Sequence, residues 1–341
     1  MNQELHFDLK YGARTLHIFN APNIWITINP SDTQDPIAQV FCGTSIDLDK
    51  FSKTAGPTSN QRAENVASDP FASVRFFHVV IKIIIEELFG IKKRGNHIER
   101  KDGILGTVQC YIGTVEAQGR GSLHLHMLLW LKEAPPASTM QKALATDEFR
   151  DRVQQFIQAT IHADIEGKSA EEVKYMRKVT EVSYSRPVKP DTHPNESKEQ
   201  EGQIARAVQY HKCMALTCLR KVKDHYECKR SAPFQLAADA WVKEDGGWGP
   251  KRLCPFLNNW NPVILTCLRS NHDIKLLLNG SGTHALTFYI TNYATKKQMQ
   301  SSNMSALLAK TMAFHKDDTK HETDVQRLNK LLLQQCTNSL S

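Results

Sequence analysis

The amino-acid sequence predicts an α+β fold, in which a β-sheet is flanked by helices. Three patterns support this class: an isolated apolar strand near the N-terminus, a β-hairpin in the first half of the chain, and helices on either side of that hairpin. The chain has 341 residues, of which 40% are hydrophobic, so it suits one large domain or one domain with a smaller insert.

Composition and charge narrow the class of protein. The 43 Lys and Arg residues exceed the 36 Asp and Glu residues, and the net charge of +7 permits a nucleic-acid partner. The longest apolar run, Val79 to Leu88, contains three charged residues and is too short to span a bilayer. The N-terminus does not have the basic and then apolar pattern of a signal peptide. We therefore expect a soluble, intracellular protein.

The first elements are a strand and a helix. Ile24 to Ile28 is rich in β-branched and aromatic residues, and Asn29-Pro30 ends it in a turn. Phe71 to Phe89 is long and apolar, with Asp69 as its expected N-terminal cap and Gly90 directly after it. The sequence therefore predicts one long helix there.

The next elements are the hairpin and a second helix. Ile104 to Glu116 and Leu123 to Leu131 are predicted as paired strands, joined by a glycine-bearing turn from Gln118 to Ser122. Apolar residues at helical spacing predict an amphipathic helix over Asp147 to Ile165.

The sequence predicts four regions. Residues 1–185 form the N-terminal part of the main domain, with the hairpin, and residues 257–341 form its C-terminal part. Residues 186–203 are expected to be a linker or exposed loop, since Pro187 to Gln203 is polar and contains three prolines. Residues 204–256 form an insert rich in Cys and His.

Two histidines on the second hairpin strand are the first candidates for chemistry. Side chains two residues apart in a strand point to the same face, so His124 and His126 lie side by side. Two neutral imidazoles on a rigid strand can bind one divalent cation. Glu116 and Gln118 share the corresponding face of the paired strand. We favour Gln118 as the third ligand because it is closer to the turn, with Glu116 as the alternative.

Two tyrosines near the C-terminus are the second candidates. In a helix, Tyr289 and Tyr293 would share one face, and Lys296 would lie close to it. A phenol has a pKa of about 10, so it needs a nearby cation and a metal-polarised phosphate to act as a nucleophile. Each candidate also has an interpretation that involves no chemistry. The tyrosines could be aromatic core residues of that helix, and the histidines could be ordinary residues on the polar face of the hairpin strand.

The third candidate is a zinc site in the insert. His211, Cys213, Cys218 and Cys228 provide the four ligands that structural zinc takes, and His225 could replace His211. Basic residues surround the cluster and could contact phosphates. The alternative is a set of buried thiols in a basic surface segment.

Three motifs together resemble the Rep domain of Helitron transposons, an HUH endonuclease. Glu116 to His126 resembles its His-hydrophobic-His motif, and Trp25 to Pro30 is similar to its first motif. Tyr289 and Tyr293, with Lys296, resemble its two-tyrosine motif. The motifs occur in the family's order, and the chain resembles the fungal "helitron helicase-like" proteins of this family.

The resemblance, which extends roughly from Leu16 to Gln300, implies both a fold and an activity. It implies an antiparallel sheet of about five strands, with the histidine strand central and the tyrosine helix across it. It implies a Mg²⁺- or Mn²⁺-dependent endonuclease and strand transferase of rolling-circle transposition, which acts on single-stranded DNA through a 5′-phosphotyrosine intermediate. It also implies a nuclear location and, in the insert, a His/Cys-rich segment.

The chain departs from the family at two points. Asn292 stands three residues after Tyr289, where the family often has Lys. Full-length members carry a P-loop helicase, but here Gly167 to Ser169 lacks a glycine five residues earlier, where His162 stands. We therefore expect a nuclease domain without the helicase domain. The alternatives are a catalytically inactive, Helitron-derived module that binds single-stranded DNA and, less favoured, a metal-dependent hydrolase that uses water.

Overall fold

The structure, a computed structural model, describes residues 21–46, 56–117, 122–177, 188–214, 218–222 and 224–278. All of them belong to the first of two units of the chain, Met1–Ile290. Their architecture is α+β, as the sequence predicts. Among these residues, no helix has both the length and the apolar character needed to cross a membrane.

An antiparallel sheet of four strands organises the described residues. Its strands are β1 (Ile24–Ile28), β4 (Val108–Ala117), β5 (Leu123–Leu131) and β10 (His272–Leu276), and their order is β10-β1-β5-β4. The described part of the sheet thus has one strand fewer than the five or so that we expect from the sequence. The histidine strand β5 lies inside the sheet, with β1 on one side and β4 on the other.

Three small two-stranded sheets lie outside this main sheet. They pair β2 (Ile91–Arg94) with β3 (His97–Arg100), β6 (Leu219–Val222) with β7 (His225–Cys228), and β8 (Trp241–Val242) with β9 (Trp248–Gly249).

Helices flank the main sheet. In the described residues they are α1 (Pro36–Phe41), α2 (Ser59–Ser68), α3 (Pro70–Ile83), α4 (Ala137–Leu144), α5 (Asp147–Thr160), α6 (Ala170–Tyr175), α7 (Pro194–Val208) and α8 (Pro262–Leu268). As predicted, α3 begins after Asp69, whose carboxylate accepts a hydrogen bond from the Ala72 N–H group at 3.0 Å. It does not run to Phe89 as a single α-helix, because a π-helical turn, Ile84–Leu88, follows it.

One face of the main sheet forms the core. Ile26 of β1, Met127 of β5 and Ile274 of β10 are almost fully buried there, and they pack in one apolar cluster with Phe76 of α3 and Ile157 of α5. Each fully buried side chain of this size contributes about 1.5–3 kcal/mol. The opposite face carries a second, smaller apolar cluster, with Trp25, Leu128 and Trp130, beside its polar groups.

The segment that the sequence predicts to be a linker or exposed loop, residues 186–203, contains the first part of α7. Residues 189–193 are irregular and exposed, and α7 begins at Pro194 and includes the rest of this segment. Its contacts come near its C-terminal end, where Ile204 and Ala205 are buried with Trp260. The sequence of this helix is polar over most of its length. A polar segment with several prolines is also typical of an exposed loop, which is why the sequence predicts one here.

Candidate metal centres

The hairpin of β4 and β5 brings Glu116 and His124 into direct register. These two residues are cross-strand partners, and Thr114 is the partner of His126. Paired residues of an antiparallel sheet point to the same face, so Glu116, His124 and His126 share one. This is the face opposite the apolar core. The sequence-based prediction that the two histidines are neighbours on one strand face is thus confirmed.

His126 is held at both ring nitrogens. Its Nε2 atom lies 3.2 Å from Oε2 of Glu116, and its Nδ1 atom lies 3.0 Å from Oγ1 of Thr27 on β1. Trp25 donates its indole N–H to the same Thr27 oxygen at 2.8 Å and lies edge-on to the imidazole. The ring of His126 is therefore oriented by two strands, and only 7% of its side chain is exposed.

His124 is half-buried beside this group. Burial lowers the pKa of His124, and the charges of His126 and Arg230 lower it further, whereas Glu116 acts in the opposite direction. The neutral imidazole is the form that binds a metal ion. The environment of His124 therefore favours the ligand form.

Two of these donor atoms lie at a separation that one divalent cation could bridge. In octahedral coordination at about 2.1 Å, adjacent ligand atoms lie about 3 Å apart. The 3.2 Å separation between His126 Nε2 and Glu116 Oε2 is close to that value. Thr27 would act as the outer partner that fixes the tautomer of a ligating histidine. His126 and Glu116 could thus supply two ligands to one cation, and His124 lies beside them on the same face of the sheet.

An acidic residue extends the same face on the far side of β1. Asp273 of β10 is the cross-strand partner of Thr27. Its Oδ2 atom lies 3.2 Å from Nζ of Lys275, while its Oδ1 atom is buried without a hydrogen bond. Burial raises the pKa of Asp273, and the charges of Lys275, Arg252 and Arg230 oppose that rise.

The insert contains a second, separate cluster. One ligand atom each from His211, Cys213, Cys218 and Cys228 lies within 4.8 Å of the other three. His211 Nε2 is 3.2 Å from the sulfur of Cys213 and 3.2 Å from that of Cys228. A tetrahedral zinc ion requires about 3.5 Å between nitrogen and sulfur ligands. The four side chains are therefore close enough to hold one ion.

Backbone N–H groups donate hydrogen bonds to two of these sulfurs. The N–H group of Met214 donates to Cys218 at 2.7 Å, and that of Arg230 donates to Cys228 at 3.4 Å. Burial raises the pKa of Cys228, but hydrogen bonds from the N–H groups of Ala232 and Arg230 and from neighbouring thiols outweigh it and lower the pKa. Burial and the adjacent sulfurs raise the pKa of Cys213 to about 11. A cation would replace the protons that these thiols share.

The structure distinguishes between the two histidines considered for the zinc cluster. His211 belongs to the cluster, whereas Nε2 of His225 lies 2.8 Å from Oε1 of Glu227. Thr27 and Asp273, which we did not identify from the sequence as site residues, lie on the histidine face. Gln118, the ligand that we favoured, lies outside the described residues, and so do the predicted catalytic residues Tyr289, Tyr293 and Lys296.

Comparison with known protein families finds a match in the N-terminal third of the chain. Residues 12–129 match the model of the "Helitron helicase-like domain at N-terminus". The match includes β1 and extends past both histidines of β5, so it contains the residues that form the first candidate centre. No curated protein matches the chain. Residues 12–129 are thus similar to a domain of Helitron-related proteins.

Proposed function

We propose that the protein is a metal-dependent endonuclease and strand transferase, which nicks single-stranded DNA in rolling-circle transposition. The observation that carries the proposal is the arrangement of His124, His126 and Glu116 on one rigid sheet face, within a region that matches a Helitron domain. A transposon-associated role agrees with that match. A nuclear location follows as an expectation.

Mg²⁺ or Mn²⁺ is the proposed cofactor of this centre. The ligands would be His124, His126 and an oxygen of Glu116, with Gln118 as a further candidate. When bound, such an ion withdraws charge from a phosphate and makes its phosphorus more open to attack. Thr27 keeps the imidazole of His126 in place. The buried position of His126 limits the access of water to that ligand.

Tyr289 and Tyr293 are the proposed nucleophiles. The phenol oxygen forms a bond to the phosphorus of a DNA phosphodiester, and the bond from phosphorus to the 3′ oxygen breaks. The phenol loses its proton, the released strand ends in a 3′-OH, and the other strand remains attached as a 5′-phosphotyrosine. Lys296 is proposed to balance the negative charge of the transition state. A second tyrosine permits a second transfer.

The cluster of the insert is proposed to hold a structural zinc ion. Three thiols and one imidazole form a closed set of four ligands, which is typical of structural zinc rather than of a catalytic ion with an open position. The ion would stabilise a segment whose described strands, β6 and β7, are only four residues each.

The test is covalent capture of DNA. The full chain is incubated with Mn²⁺ and a pool of random single-stranded oligonucleotides, which carry a fluorophore at the 3′ end and so retain it in the protein-linked fragment. We expect a labelled adduct that survives denaturing electrophoresis and disappears with a chelator. The Tyr289→Phe/Tyr293→Phe double variant should form none, whereas Tyr226→Phe, a change at an exposed tyrosine of β7, should behave as wild type.

Two other outcomes would contradict the proposal. Cleavage without an adduct would indicate a hydrolase that uses water. Binding without cleavage, under every metal condition, would indicate an inactive DNA-binding module.

A further inference from the structure

The backbone next to Arg230 forms hydrogen bonds to two ligand residues of the zinc cluster, Cys228 and Cys218. Its N–H group donates to the sulfur of Cys228, and the next N–H group, that of Ser231, donates to the Cys228 carbonyl at 2.9 Å. One residue earlier, the N–H group of Lys229 donates to the carbonyl of Cys218 at 2.7 Å. An ion bound by these cysteines would therefore fix the backbone from which the Arg230 side chain extends.

The same segment is anchored to the main sheet. Four residues after Arg230, the N–H group of Phe234 donates to the Pro255 carbonyl at 2.7 Å. The guanidinium of Arg252 lies 4.7 Å from the centre of the Phe234 ring. Arg252 is also hydrogen-bonded to Asn259, whose amide donates to the carbonyl of Ile274 in β10 at 3.1 Å. These contacts link the turn after Cys228 to the strand that carries Asp273.

The charge of Arg230 acts on both candidate centres. It lowers the pKa of His211 in the zinc cluster, and it also lowers the pKa values of His124 and Asp273, which lie on the histidine face of the sheet. These effects agree with the contacts described above, which link the turn after Cys228 to β10. Arg230 is exposed, and its guanidinium forms no hydrogen bond or ion pair with another residue of the described ranges.

Two other charged groups of this region are already paired. Arg220 of β6 lies 3.7 Å from Glu227, and Asp273 is paired with Lys275. The fork of N–H donors on Arg230 therefore remains available for an anion. A guanidinium matches the geometry of a phosphate with two parallel hydrogen bonds.

We propose that the metal-bound His211–Cys213–Cys218–Cys228 cluster positions Arg230 to bind a backbone phosphate of the DNA strand at the His124 face. The zinc cluster thereby serves the DNA site as well as the local fold. This inference rests on the proposed function, because it takes single-stranded DNA as the ligand of that face.

The test measures DNA binding rather than cleavage. The probe is a fluorescent single-stranded oligothymidine, titrated at several salt concentrations against the full, zinc-loaded chain. Loss of one phosphate contact reduces the salt dependence by about 0.7 of a counterion on single strands, and we expect Arg230→Gln to weaken binding about tenfold. Arg220→Gln removes the same charge from the same insert and should change binding less than about twofold.

A second variant tests the dependence on metal. Cys213→Ser changes the exposed ligand, and its zinc content is measured directly by mass spectrometry. We expect it to weaken binding as much as Arg230→Gln does, and the double variant should lose no more than either single variant. If Cys213→Ser does not fold, the comparison of Arg230→Gln with Arg220→Gln still decides whether Arg230 binds the phosphate.

The inference is overturned if Arg230→Gln binds like wild type, or if the losses in the double variant add. Its failure is distinct from that of the proposed function. A chain that forms tyrosine adducts but is indifferent to Arg230→Gln contradicts only the inference. A chain that forms no adduct but binds DNA through Arg230 contradicts only the nuclease.

Discussion

The Nε2 atom of His126 lies 3.2 Å from the Oε2 atom of Glu116, while Thr27 contacts the opposite nitrogen of the same ring. An imidazole held in this way can rotate little. In its metal-bound form, Nδ1 would donate a proton to Thr27 and Nε2 would face the ion together with the carboxylate. The separation of the two ligand atoms is already close to that of neighbouring ligands around one cation.

Replacing Glu116 should weaken cation binding. Glu116→Gln keeps the size and one oxygen of the side chain but removes its charge, so we expect the affinity for Mn²⁺ to fall by more than about tenfold. Isothermal titration calorimetry measures the change. Glu133→Gln, an exposed substitution just after β5, is the control. Equal affinities for wild type and Glu116→Gln would exclude Glu116 as a ligand.

Thr27 and Thr114 provide a matched pair that tests the orientation of His126. Both are cross-strand partners of His126, one on β1 and one on β4, but only Thr27 forms the hydrogen bond to Nδ1. Valine has nearly the same shape as threonine without the hydroxyl group. We expect Thr27→Val to lower Mn²⁺ affinity about 10- to 100-fold and Thr114→Val to change it little. The opposite ranking would show that Thr27 does not orient the ring.

The cysteine cluster should bind one zinc ion for each chain. Cys228→Ser removes a buried ligand, so the purified variant should contain almost no zinc and unfold at least about 5 °C below wild type. Elemental analysis and thermal unfolding measure the two effects. Cys267→Ser, at an exposed cysteine outside the cluster, should retain both properties. A wild-type protein purified with zinc available but without bound zinc would refute the site.

His272 should make stability depend on pH. It is fully buried, accepts a hydrogen bond from the Asn261 N–H group and contacts Gln209, and burial lowers its pKa to about 4. The unfolded chain, with a pKa near 6.5, binds more protons between these values. The stability that neutral His272 contributes is therefore present above about pH 6.5 and lost as the pH falls towards 4, by up to about 3 kcal/mol.

The difference between wild type and His272→Gln isolates this effect. Glutamine can still accept a hydrogen bond, but it does not titrate. We expect the free energy of unfolding of wild type, relative to the variant, to decrease as the pH falls from 7 to 4. Asp35, whose pKa is raised to about 6 by burial, acts with the opposite sign, but it is present in both proteins and cancels. A difference that does not change with pH would contradict the assignment.

Local patterns predicted the elements that carry the histidine site. Strand alternation and the glycine-bearing turn identified the hairpin, and they were sufficient to place His124 and His126 on one face. Strand order is not encoded in such patterns. The pairing of β1 with β5, which brings Thr27 to His126, depends on contacts between distant parts of the chain. That is why Thr27 was missed, although it lies in the strand predicted at Ile24–Ile28.

Strand periodicity in the insert distinguishes between the two candidate histidines. His225 and Cys228 are three residues apart on β7, so their side chains point to opposite faces and cannot easily share one ion. Strand periodicity alone thus favours His211. The link from the segment after Cys228 to β10 could not be predicted, because it arises from contacts between distant parts of the chain.

The most direct test of the account is anomalous diffraction from a crystal soaked in Mn²⁺. We predict a manganese peak roughly 2.1 Å from the ring nitrogens of His124 and His126 and from a carboxylate oxygen of Glu116. A well-ordered crystal with no peak beside these histidines, or with His126 still bonded to Glu116 and a manganese ion elsewhere, would contradict it.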